Sequence, residues 1–240
     1  MSDLFQRLPI ATTILAILFF TALVRRYILK GRGIHLLWWA AGVACYGSGT
    51  AIESIISLHG NSATLTKLWY VMGALLGAWP LAQGTVYLLL RRATANRLTM
   101  LTVPIVVVLV VSTLFSPADV QNLRPDQPSG NVIGWKWIRY ATPFINLYAA
   151  GFLVGGAIIS SRRFAKKTET ANLAFGNALI AVGAILPGIG GAIAKAGPVE
   201  PLYITELIGL MLIYLGYYVC THERPTTQTA EDGQLTEMGP

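Results

Sequence analysis

Seven apolar stretches, each long enough to cross a lipid bilayer, fill almost all of this 240-residue chain. They cover residues 9–24 (running on apolar to 29), 34–58, 65–90, 98–115, 137–160, 172–194 and 199–220. The hydrocarbon layer is about 30 Å thick and a helix rises about 1.5 Å per residue, so about 20 apolar residues suffice to cross it. Bilayer solvent explains these runs more simply than a water-soluble core. The predicted fold class is all-α: a polytopic, seven-transmembrane-helix bundle over 1–220, with a disordered cytoplasmic tail over 221–240. Charged residues make up 12% of the chain, against about 25% in a soluble domain. The length leaves room for one bundle and no second domain.

Charge gives the bundle a direction. The first inner loop carries Arg25, Arg26, Lys30 and Arg32, the second Arg91, Arg92 and Arg97, and the third Arg162, Arg163, Lys166 and Lys167. With Arg224 these are 12 of the 18 basic residues; Arg7, Lys67, Arg124, Lys136, Arg139 and Lys195 lie on the other side. The positive-inside rule then places the N-terminus outside and the C-terminus in the cytoplasm, as an odd number of spans requires. The localisation this implies is a cell membrane, most simply a bacterial cytoplasmic membrane. The net charge of +7 sits in short loops between spans, so the expected partner is the lipid bilayer with its anionic headgroups, and no nucleic acid. The first span reads as uncleaved, because its basic cluster follows the apolar run instead of preceding it.

The one long loop, about 116–136, is rich in Pro, Asp, Asn and Gly and is expected outside, closed by Trp135 and Trp137 as interfacial anchors. Cys45 and Cys220 fall at different depths, which disfavours a disulfide.

Two carboxylates lie inside the spans rather than at their ends: Glu53 and Glu206. A charge at mid-helix costs about 2.5–3.5 kcal/mol on insertion scales, so each needs a reason to be there. At helical spacing Gly42, Tyr46, Gly49 and Glu53 share one side of the second span. Leu202, Glu206, Gly209, Ile213 and Gly216 share one side of the seventh, and Trp69, Gly73, Gly77, Pro80, Gly84 and Tyr87 form a stripe on the third. Small residues mark helix contacts in membranes, so both acids are expected to face protein and not lipid. Gly73–Gly77 and Gly151–Gly155 are GxxxG steps, read as packing sites. The candidate ligand-binding residues are Glu53, Glu206, Tyr46, Trp69 and Tyr203, in the outer half of the bundle. Lys67, Arg139 and Lys195 lie near the outer helix ends and are candidate ion partners. Gln83, Asn146 and Asn177 read as interhelical hydrogen bonds. Pro80, Pro104, Pro143 and Pro187 interrupt four spans, and the run Leu186-Pro187-Gly188-Ile189-Gly190-Gly191 makes the sixth the most disturbed.

Several chemistries find no footing. His35, His59 and His222 all lie at helix ends, so no buried zinc site with several His ligands forms, and no metal or cofactor is expected. Tyr46-Gly47-Ser48-Gly49 echoes a rhomboid protease motif but lacks its first Gly and a placed His base. Catalytic residues are therefore assigned to none, and the chain reads as non-enzymatic.

The segments Trp39-Ala40-Ala41 through Glu53, and Leu68-Trp69-Tyr70 through Gln83-Gly84-Thr85-Val86-Tyr87, resemble uncharacterised bacterial seven-span membrane proteins. They are also similar to the seven-span sensor modules found before histidine kinases. The topology resembles that of microbial rhodopsins, but residues 199–220 contain no Lys to carry retinal. The resemblance implies a sensor- or receptor-type module that binds a small-molecule or lipid ligand from the outer side and signals to a separate cytoplasmic effector. A small-solute or proton-coupled transporter, and a structural subunit of a membrane complex, are the alternatives.

Overall fold

The computed structural model describes residues 3–31, 33–167, 170–194 and 197–222. Among them the chain is helical, with one antiparallel bridge between Ala118 and Ile133 and no other β pairing. The α-helices are α1 (Asp3–Lys30), α2 (Ile34–His59), α3 (Ala63–Trp69), α4 (Trp79–Leu89), α5 (Arg92–Phe115), α6 (Lys136–Phe164), α7 (Ala171–Ala194) and α8 (Glu200–His222). A π-helical turn, Tyr70–Leu75, and a short non-helical turn join α3 to α4. Thr221 and His222, expected in the tail, complete α8. Arg32, Lys195, Arg224 and the rest of the expected tail, 223–240, lie outside the described residues.

Six segments are long and apolar enough to cross a membrane: Arg7–Lys30, Ala63–Leu89, Arg92–Phe115, Lys136–Phe164, Ala171–Ala194 and Glu200–His222. This is the build of a multi-pass membrane protein. The 26-residue α2 is as long but more polar, because Gly, Ser, Thr, Tyr and Glu53 interrupt its apolar run. Its buried residues include Gly42, Gly47, Gly49, Thr50, Glu53 and Ser54, so these dilute its lipid affinity while facing protein.

The helices close into a ring. α1 packs on α2, α2 on the broken third segment, α4 on α6, α6 on α7, α7 on α8, and α8 back on α1. α5 stands outside the ring and touches it lightly. α1 and α8 run parallel: the Phe19 ring lies tilted against Tyr214 at 4.9 Å and Tyr217 at 5.3 Å, and Arg26 lies 5.8 Å over the Tyr217 ring. A core of Phe19, Leu23, Leu36, Val43, Leu81 and Leu210 fills the centre of the ring.

The closest approach is between α7 and α8. Gly176, Gly183 and Gly190 recur every seven residues, so they share one stripe of α7. A methyl group on Gly183 would meet Gly209 O at 2.6 Å, and one on Gly209 would meet Gly183 O at 2.7 Å. Gly176 and Gly216 repeat this reciprocal contact one layer away, at 2.9 and 2.4 Å. The two backbones touch, as small residues permit in a bilayer.

The proline-bearing spans differ from one another. The run at Pro187, the most disturbed in the sequence, stays helical: α7 is continuous from Ala171 to Ala194. The notch at Gly209 takes the proline ring, whose Cδ would lie 2.9 Å from a methyl there, so packing holds the helix where the missing N–H weakens it. Pro104 and Pro143 likewise sit inside unbroken α5 and α6. The broken span is the third, and Pro80 lies in the first turn of α4, where a missing N–H costs nothing. Nor is Gly151–Gly155 a packing site, since a methyl on either would meet nothing within 4 Å. Gly156 makes the α6 contact instead, against Leu89 and Thr85 of α4.

These glycines give a direct test. Gly183→Val is expected to destabilise the purified protein by about 3 kcal/mol or more, because backbone cannot yield as a side chain can. Gly151→Val is expected to leave thermal unfolding in detergent within experimental error of the parent. Equal sensitivity at the two positions would refute the α7–α8 contact.

Candidate functional site

Glu53 lies in the C-terminal half of α2, on the side that faces the broken third segment. Gly42, Gly49 and Glu53 all point that way: Gly42 against Leu81, Gly49 with its methyl position 3.1 Å from Gly73 Cα, and Glu53 against Trp69. Glycine is required at 49 because the π turn comes within backbone contact there. That approach brings the Trp69 indole over Glu53, and its Nε1–H donates to Glu53 Oε1 at 2.6 Å. Glu53 is 1% exposed.

Glu206 comes from α8. The Tyr46 hydroxyl, two turns below Glu53 on α2, donates to the Glu206 backbone oxygen at 3.1 Å and ties α2 to α8. The Glu206 and Glu53 carboxyl groups are within hydrogen-bonding reach of each other. Two carboxylates in contact cannot both stay charged away from water; a proton or a cation must stand between them. Each Oε2 is enclosed, and no N–H or O–H of the described residues bonds it.

Tyr203, one turn before Glu206 on α8, is fully buried, and its hydroxyl is within electrostatic range of both carboxyls. Ser57, one turn after Glu53 on α2, has its hydroxyl beside that of Tyr203. Neither hydroxyl makes a hydrogen bond of ordinary geometry to a described group. All five residues singled out from the sequence thus converge, together with Ser57. Ser57 was missed, although its spacing of four from Glu53 puts it on the same helix face.

The expected ion partners are elsewhere. Lys67 Nζ donates to the Leu114 and Ser116 carbonyls at 3.1 and 2.5 Å, capping the end of α5. Arg139 donates to Asn131 Oδ1. Lys195 lies outside the described residues. Among the described residues no three His, Cys, Asp or Glu groups converge in a metal-binding cluster.

The α2–α3 turn nearest the site is covered by the long loop. Asn61 follows Gly60, whose φ of 90° turns the chain from α2 to α3. Its Nδ2 donates to the Arg124 and Gln127 carbonyls at 2.9 and 3.0 Å, fastening the long loop to that turn. Ile133 and Val132 bury themselves under the loop, and the Ser116 hydroxyl accepts from Trp135 N at 3.0 Å. Trp135 and Trp137 stay exposed.

The secondary polar residues separate. Gln83 is buried and bridges three helices, accepting from Tyr148 at 2.8 Å and donating to Thr99 at 2.5 Å. Asn177 donates to Leu173 O at 2.8 Å within α7 and reaches Cys220 Sγ at 3.6 Å. Asn146, expected to bond between helices, is exposed on α6. Ser48 is also exposed and donates to Ala44 O. Two apolar grooves of about 350 and 480 Å³ flank α5, one beside Trp38 and Trp79 and one beside Trp137 and Phe144. Neither is lined by the glutamates.

Comparison with protein-family models, with curated proteins and with solved structures finds no match for this chain.

The Trp69 contact is testable alone. Trp69→Phe keeps an aromatic ring, smaller than the indole, and removes the N–H, leaving Glu53 Oε1 unpaired. The expected cost is about 1–3 kcal/mol, read from thermal or denaturant unfolding. Glu53→Gln on the Trp69→Phe background should cost less than on the parent, and equal costs would separate the two side chains.

Proposed function

We propose that the chain is a non-enzymatic seven-helix membrane module of sensor or receptor type, with the Glu53–Glu206 pair as its ligand site. The ligand is small or lipophilic, enters from the outer side and is positively charged where it meets the carboxyls. The observation that carries this reading is the meeting of two membrane-depth carboxyl groups, from helices 153 residues apart in sequence, without a basic side chain between them among the described residues. A membrane carboxylate that serves structure alone would be expected to carry its own counter-charge. The surrounding Tyr46, Trp69 and Tyr203 supply the apolar walls and hydrogen bonds of a site.

In this reading the chain crosses the membrane seven times, α2 included, with its N-terminus outside. The parallel run of α1 and α8 supports that arrangement, as does the basic character of alternate loops. The ring joins α2, α8 and α1 directly, so a change in the pair's separation would shift the inner ends of those helices, where a cytoplasmic effector can read it.

One observation favours a proton-coupled transporter as the second reading: the broken third span packs directly against the pair through Gly49 and Gly73. Proton flux in reconstituted vesicles, abolished by Glu206→Gln, would select it over a sensor.

The test of the first reading is a thermal-shift panel of small organic cations, from tetramethylammonium to alkyl amines, on the protein in nanodiscs. Binding is expected to stabilise the parent and to weaken at least tenfold when Glu53→Gln and Glu206→Gln are combined, with folding retained. A ligand that binds parent and double variant alike would remove the pair from the site.

A further inference from the structure

The reading of the pair as the ligand site leaves open what fits there, and the geometry narrows it. The groups left without a partner at this point are all oxygens: Glu53 Oε2, Glu206 Oε2, the Tyr203 hydroxyl and the Ser57 hydroxyl. Among the described residues the nitrogen donor at this point, Trp69 Nε1, is already used on Glu53 Oε1. Four enclosed oxygens without hydrogen-bond partners are costly in hydrocarbon unless something satisfies them.

Charge sets the sign of the occupant. A contact between the two carboxyls holds one proton, and the second carboxyl, once ionised, leaves a single negative charge. No described lysine or arginine answers it: Lys67 caps α5, Arg139 bonds Asn131, and Arg26 lies at the far end of α8 beside Tyr217 and Thr221. One positive charge balances the site.

Donor type sets the class. Glu53 and Tyr203 are buried, and the grooves beside α5 do not reach them. Hard oxygen donors of carboxylate and hydroxyl type suit alkali and alkaline-earth ions, and the single unbalanced charge selects the monovalent ones.

We propose that Glu53, Glu206, Tyr203 and Ser57 form a binding site for one alkali-metal cation, bridging α2 and α8. The ion takes the place of a missing basic side chain. It joins the two helices at the point where they carry like-charged groups, so its arrival tightens the outer half of the ring. Tyr203 is a ligand through its hydroxyl alone; Glu53 is held in position by Trp69.

The experiment uses the full chain purified in detergent and follows thermal unfolding by tryptophan fluorescence. Sodium chloride and potassium chloride are titrated against choline chloride at matched ionic strength. The expected result is a saturable rise in the unfolding temperature with Na+ or K+ and none with choline, since a ligand that binds only the folded state stabilises it. Glu206→Gln should weaken the apparent affinity at least tenfold. Tyr203→Phe, which removes one oxygen and keeps the packing, should weaken it severalfold with its stability in choline unchanged. Identical curves for both alkali ions and choline overturn the proposal, as does an ion response that survives both substitutions. If organic cations still bind through the pair while alkali ions do not, the cation site fails and the ligand-site reading stands. If neither binds through the pair, both fail.

Discussion

In hydrocarbon, a polar group has no solvent to fall back on, so its partners must come from the protein. That constraint organises the whole molecule. Glu53 and Glu206 are placed where α2, α3 and α8 converge, and the surrounding packing serves to keep lipid from them. Gly49 lets the π turn come close enough for Trp69 to reach Glu53. Tyr46 spends its hydroxyl on the α8 backbone and fixes the distance between the two acid-bearing helices. The long loop, fastened through Asn61, covers the end of the bundle nearest Glu53.

The ring has stiff and soft parts, and their placement bears on function. α7 and α8 touch backbone to backbone at two glycine pairs, so they move as one body. α2 carries Glu53 on the other side of the gap and leans on the broken third span. The pair therefore joins a rigid helical hairpin to the least regular segment of the bundle. At the other end of α8, Arg26 of α1 lies over Tyr217 and reaches the Thr221 carbonyl, so α1 is tied to that hairpin. α5 lies outside this path and packs through apolar grooves.

Much of this was legible in the sequence, for physical reasons. The apolar runs give the helices because a bilayer demands about 20 residues per crossing. The facing of Glu53 followed from Gly42 and Gly49 at helical spacing, since only a protein-facing side needs small residues in register. What failed was the reading of individual prolines and glycines. Pro187 marks the most disturbed run in the sequence, but a ring that fills the notch at Gly209 stabilises the helix it interrupts, and that notch comes from another helix. The break fell in the third span, where Gly73 and Gly77 weaken the helix and Gly49 of α2 asks for close approach. Gly151 and Gly155 carry the same GxxxG spacing as Gly73 and Gly77, yet face outward; spacing shows that an approach is possible, and only the partner shows whether it happens. The α7–α8 contact could have been found from Gly176, Gly183 and Gly190 recurring every seven residues. The destinations of Lys67 and Arg139 could not, because they depend on how the long loop folds.

The account rests on the direct meeting of two acidic side chains that lie far apart along the chain. A double-mutant cycle on folding stability measures that meeting most directly, using Glu53→Gln, Glu206→Gln and the two combined. Groups in contact are expected to show a coupling of about 0.5–3 kcal/mol, so the combined change should differ from the sum of the single ones by at least about 1 kcal/mol. Additivity to within about 0.3 kcal/mol would mean that the two carboxyls do not touch, and would contradict the account.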